Sequence, residues 1–229
     1  MANKVEIPSM LNKLKKSQLL FPIVALVLML VINVIINHDF FKISINNGVL
    51  YGFIIDVLNR SCELIILAVG MTLVVASSRG TDISVGAVMA VSGAIIVRLL
   101  GSSYDGYAMP LFLAIFFGLL GGIACGAVNG LLVARFNIQP MVATLILYTA
   151  GRGIAQLISS NESATGVILY VRMDSFKWIG GFLPHVVVPT PIFIAILFVL
   201  ITQLFLKKTA FSTYIQTVGI NPKAGRLVG

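Results

Sequence analysis

The residues able to do chemistry in this chain are few, and they suit recognition better than bond-making. No HExxH metal pair, GxSxG nucleophile turn or GxxxxGK[ST] phosphate loop occurs in it. His38 and His185 stand far apart with no carboxylate pattern around them, and Cys62 and Cys125 lack the CxxC spacing of a metal or redox site. Both cysteines read as packing residues. No catalytic residue and no metal site is therefore expected. What remains is a set of polar side chains embedded in apolar sequence: Asp82 with Ser84, Asn129, Arg152 between Gly151 and Gly153, and the trio Asp56, Arg60 and Glu63.

The elements that must hold these residues follow from composition. Across 229 residues the chain is 58% hydrophobic and 10% charged, where a soluble domain carries about 25% charged residues. So few charges cannot build a water-facing surface. Crossing a hydrocarbon core of about 30 Å takes about 20 helical residues, and uncharged stretches near that length recur throughout. A closed barrel would show short alternating segments instead. The net charge of +8 does not indicate nucleic acid, because the basic residues flank apolar runs without interleaved aromatics.

Six apolar spans are expected, centred on 19–36, 64–78, 83–97, 109–134, 141–159 and 186–206. The first follows a basic leader containing Lys4, Lys13, Lys15 and Lys16, but it is longer than a signal-peptide core and lacks a small-residue cleavage site, so it reads as a retained span. With the leader in the cytoplasm, Arg79, Arg135, Lys207, Lys208, Lys223 and Arg226 fall there too. Together with the four leader lysines these make ten of the sixteen basic residues, as the positive-inside rule requires. The division expected is a cytoplasmic leader over 1–18, a membrane region over 19–206 and a cytoplasmic segment over 207–229. A short interfacial helix anchored by Trp178 is expected in the exterior loop over 160–184. No closing span follows 206, so the reading is of a C-terminally truncated, all-α polytopic protein.

Each polar feature has a structural and a functional reading. Asp82 and Ser84 can cap the third helix, or line a pathway where two short spans are broken at Arg79 and Gly80. Arg152 far inside a span costs at least about 2.5–3.5 kcal/mol at a helix centre, so it faces protein or water, or snorkels to the exterior surface. The trio of charges neutralises itself along one helix face, or relays protons. Gly118, Gly122, Gly126 and Gly130 recur every fourth residue and form a stripe for close helix approach, as static packing or as an interface that slides when the pathway opens. In the last segment Gly219, Asn221 and Pro222 suit a turn opening a helix, followed by Ala224, Gly225 and Arg226, which reads as a coupling helix or as a solvated tail.

Several blocks, in order, carry a family resemblance. GTDISVGAVMAVSGA over 80–94 resembles the GIDLSVG signature of permease subunits in bacterial sugar ABC importers of the ribose type. NGLLVARFNIQPMVATLILYTAGRGIAQLIS over 129–159 is similar to the central block of that family. VGINPKAGRLVG over 218–229 is similar to its ATPase-contacting segment. DVLNRSCELIILAVGMTL, IQPMVATLIL and AGRGIAQLI look closest to permeases of galactofuranose importers. Arg79 stands where the family usually has glycine, and Thr81 where it has an apolar residue.

The resemblance implies a permease that translocates a sugar, galactofuranose-like or another monosaccharide, across the bacterial inner membrane. Its implied partners are an ABC ATPase, a second permease in a homo- or heterodimer, and a periplasmic sugar-binding protein. No cofactor is expected on this chain, ATP being used by the ATPase. Asp82, Ser84, Asn129 and Arg152 are the candidate pathway residues, and Gly219, Asn221, Ala224, Gly225 and Arg226 the candidate coupling residues. Two alternatives stay open: a proton-coupled secondary carrier, which needs an internal repeat and a buried carboxylate, and an inactive membrane scaffold.

Overall fold

The structure, a computed structural model, describes residues 20–46, 49–101, 109–159, 171, 173–182 and 186–228, without the side chains of Asn46, Asp174, Lys177, Ala224, Arg226 and Val228. The leader over 1–18, Arg172, His185 and most of the exterior loop lie outside these residues. The chain divides into two compact units, the first ending at Val57 and the second beginning at Leu58.

In the first unit, α1 (Leu20–Ile36) is a helix of 17 apolar-rich residues. After it β1 (Ser44–Asn46) pairs antiparallel with β2 (Val49–Tyr51), Ile45 facing Leu50. Phe40 packs edge-on to Phe41 and stacks on Phe53. Asp39 and Lys42 form an ion pair at 3.7 Å with both side chains exposed, worth at most about 1 kcal/mol.

The helix α2 (Phe53–Ser78) has 26 residues, so the second span begins well before the apolar window over 64–78. Asp56 lies in its first turn, where a carboxylate complements the helix dipole. The helix thus runs on through Asp56, Arg60 and Glu63, all three exposed. The rest are α3 (Val85–Leu100), α4 (Leu111–Ala134), α5 (Pro140–Ser159), α6 (Asp174–Gly180), α7 (Thr190–Lys208), α8 (Phe211–Ile220) and α9 (Pro222–Val228). A short helix does form around Trp178, as α6. The amphipathic α8 lies in a stretch that the composition marks only as polar.

Among the described residues four helices are long and apolar enough to cross a membrane, namely α2, α4, α5 and α7, and α1 and α3 are shorter apolar helices. At 16 residues, α3 is about 24 Å long. Gly101 ends it with φ 82°, a left-handed geometry that glycine adopts without penalty, and its N–H caps the Val97 carbonyl.

The core of the second unit forms where α3 packs between α5 and α4. Its interior is made of small side chains. Val91 and Ala94 of α3 cluster with Ala155 of α5, Ala87 and Ala143 are buried nearby in the same two helices, and a Cβ on Gly151 would sit 3.1 Å from that of Ala87. In lipid there is little hydrophobic drive between helices, so close backbone approach through such residues supplies the packing. Large apolar side chains point outward instead, among them Phe112, 86% exposed, and Leu157, 78% exposed. That inversion of a soluble protein's burial pattern places the outer surface against lipid or other membrane helices.

Candidate functional site

The break between α2 and α3 organises the polar residues. Asp82 caps the entry to α3 differently from a simple N-cap. Its Oδ1 accepts from both the backbone N–H and the hydroxyl of Ser84, each at 2.7 Å. Ser84 is fully buried, and its hydroxyl in turn accepts from Asn129 Nδ2 at 2.9 Å. Thr144 of α5, also buried, accepts the Ile83 N–H at 3.1 Å. One loop is thereby tied to α4 and α5 through hydrogen bonds that an apolar medium strengthens.

Beside this network lies a cavity of about 700 Å³, within the roughly 300–1,000 Å³ typical of small-molecule sites. Its wall draws on the end of α2, Asp82, the second half of α4, the start of α5, and Val218, Pro222 and Gly225 of α8 and α9. Polar groups from five places converge on it, from Ser77 and Ser78, Asp82, Asn129, Asn137 and Thr144. Asn129 is 93% buried, since 7% of it is exposed, and its Oδ1 has no hydrogen-bond partner. An unsatisfied buried amide oxygen costs about 1–3 kcal/mol, so a donor offered there would be stabilised. The polar set favours a ligand rich in hydroxyl donors, and nothing in it performs covalent chemistry.

Of the four candidate pathway residues, the structure brings Asp82, Ser84 and Asn129 together and leaves Arg152 apart. Arg152 is exposed on α5, its guanidinium 4.4 Å from the ring centre of Tyr148. Tyr148 and Arg152 are one helical turn apart, so they share a face, and the cation–π contact holds the charge there. The glycine stripe also divides. A Cβ at Gly118 would collide with Ile96, and one at Gly122 would come within 2.9 Å of Ser92 Oγ. A Cβ at Gly126 or Gly130 would meet no neighbouring element within 4 Å, and both glycines line the cavity. Packing therefore accounts for the first two glycines, and open space for the last two.

The final segment is two helices joined at Asn221. Its N–H closes α8 on the Thr217 carbonyl at 2.9 Å, and its Oδ1 accepts the Lys223 N–H at 3.1 Å to open α9. Pro222 takes the first helical position, where its missing N–H costs nothing. Gly219 sits not in that turn but in the last turn of α8, buried. Gly225 faces Thr217 and Val218 of α8 and the cavity. The side chains of Ala224 and Arg226 lie outside the described residues. Sequence reasoning passed over Thr144, Ser77 and Ser78, whose hydroxyls resemble ordinary helix side chains.

Apolar helices packed through small residues, with polar side chains gathered at one cavity, define a polytopic α-helical membrane protein. The chain belongs to the family described as the branched-chain amino acid transport system permease component, whose profile matches residues 53–229. It is 41% identical over 208 residues to the galactofuranose transporter permease protein YtfT of Escherichia coli strain K12, covering 90% of this chain and 57% of that one. It is 38% identical to the fructose import permease protein FruF of Bifidobacterium longum, over 99% of this chain and 62% of the relative. To the ribose import permease protein RbsC of Escherichia coli strain K12 it is 32% identical, over 90% of this chain and 60% of the relative. The chain thus spans less than two thirds of the length of each of these three relatives. No solved structure matches it.

Proposed function

We propose that this chain forms the substrate pathway of an ATP-driven importer that carries a monosaccharide, galactofuranose or a close relative, across the bacterial inner membrane. The observation that carries this reading is the cavity in which Asp82 and the unsatisfied Asn129 amide oxygen meet. Acceptors of this kind match the hydroxyl groups of a neutral sugar. Relatives named for galactofuranose, fructose and ribose support the same class. The chain's N-terminus is cytoplasmic in this proposal, so the cavity end, with Arg79, Arg135, Lys207 and Lys208, also faces the cytoplasm. A second permease, a pair of ATPases and a periplasmic sugar-binding protein complete the machine. ATP is hydrolysed in the ATPase, and α8 and α9 receive its motion.

A proton-coupled carrier is the competing reading. Asp56 and Glu63, the carboxylates of the α2 trio, are exposed on the helix surface, which does not favour a relay through them. The discriminating experiment is reconstitution of the assembled transporter in proteoliposomes. Labelled monosaccharide should accumulate when ATP and loaded binding protein are supplied, with galactofuranose the strongest competitor. Uptake driven by a pH gradient without ATP would overturn the proposal.

A further inference from the structure

Arg79 occupies a backbone geometry that does not suit it. Its φ is 56°, in the left-handed region where a residue with a Cβ is disfavoured and glycine is at ease. The residue following it, Gly80, packs against the ring of Pro140 at the start of α5. From this constrained position the Arg79 Nε–H donates to the carbonyl oxygen of Gly219 in the last turn of α8.

The two helix ends meet closely. A Cβ on Gly219 would collide with the Ala76 carbonyl oxygen of α2, so the backbones are in direct contact. α2 closes with the Arg79 N–H on the Val75 carbonyl, and α8 with the Asn221 N–H on the Thr217 carbonyl. The negative ends of two helix dipoles therefore converge, with carbonyls that their own helices cannot satisfy. A guanidinium at that point satisfies one of those carbonyls and offsets the field of both. Three residues further along the same loop is Asp82, the first member of the Asp82, Ser84 and Asn129 network.

We propose that Arg79 is a positioning residue that clasps α8 to the cavity loop, so that a displacement of α8 and α9 is transmitted to Asp82. The source of that displacement rests on the importer reading; the clasp does not. Glycine at position 79 separates backbone comfort from the clasp, because it suits the left-handed geometry while removing the guanidinium.

The experiment compares the assembled transporter with its Arg79→Gly and Arg79→Lys forms. Arg79→Gly should fold and assemble, and amide exchange over α8 should quicken about ten-fold or more, as loss of a charge-assisted hydrogen bond implies, while exchange in α4 stays unchanged. Basal ATP hydrolysis should persist, and sugar moved per ATP should fall several-fold. Arg79→Lys, which restores a donor and a charge, should recover part of both readouts. Unchanged exchange in Arg79→Gly would overturn the clasp. Faster exchange with a normal ratio of sugar to ATP would overturn its role in coupling. If the unsubstituted transporter shows no ATP-dependent uptake, the importer reading falls and takes the coupling role with it, while the exchange result still decides the clasp.

Discussion

Ser84 is the residue on which the polar network turns. Its hydroxyl has one proton to give, and it gives it to Asp82, so its lone pair is left to accept from Asn129 Nδ2. That direction fixes the Asn129 amide and leaves Oδ1 as the free acceptor. Ser84→Ala should cut both links at once and leave the buried Asn129 amide donor without its partner, lowering stability by about 1–3 kcal/mol, which a thermal melt of the purified protein would measure. Asn129→Ala removes the donor and the orphan oxygen together. It should melt close to the parent but lose most of the transport rate, and a normal rate would show that the sugar does not meet this amide. Asp82, Ser84 and Asn129 were legible in the sequence because a polar residue in an apolar run stands out. Thr144 was not, since a threonine hydroxyl within a helix commonly bonds its own backbone, as Thr149 does. Arg152 was legible only in part. The sequence shows a charge inside a span, whereas its partner Tyr148 and its outward face emerge only in three dimensions.

At the scale of elements, one repeated residue performs two jobs along α4. Gly118 and Gly122 allow α3 to lie against α4, and Gly126 and Gly130 leave the cavity open. Two substitutions of the same kind should therefore fail differently. Gly118→Leu forces Ile96 and the backbone of α3 aside and should lower detergent-extracted yield and melting temperature, overpacking costing about 1–3 kcal/mol. Gly126→Leu should leave the melting temperature within a few degrees but fill the cavity and block uptake. Equal loss of stability in both would mean that the whole stripe packs against protein. Spacing alone predicts the stripe, since every fourth residue falls on one face, but it does not say where along that face the neighbouring helix departs. The extent of α2 was hidden similarly. An apolar window stops at charged residues, while the helix itself continues through Asp56, Arg60 and Glu63 because backbone hydrogen bonding is indifferent to which side chains face outward. The helix α8 mixes polar and apolar residues, and its apolar Phe211, Ile215 and Val218 become meaningful only against α2, beside Leu73 and Val74.

For the whole molecule, the alternation of spans brings the end of α2, the start of α3, the end of α4 and the start of α5 to a single cavity. That agrees with the crossing pattern expected from the apolar runs. The basic residues at this end set its proposed orientation, so a reporter joined after Lys208 should read cytoplasmic. A periplasmic signal would invert the proposed path of the sugar. The central claim is that the cavity beside Asp82 and Asn129 is the pathway and that its access changes with the ATPase cycle, as alternating access requires. The most direct measurement is thiol labelling of Val133→Cys, on the cavity wall, in a transporter whose Cys62 and Cys125 are replaced. A polar maleimide added at the cytoplasmic face should react at rates that shift when ATP and sugar-loaded binding protein are present, and free sugar should slow it. A labelling rate that responds to neither nucleotide nor sugar would contradict the account.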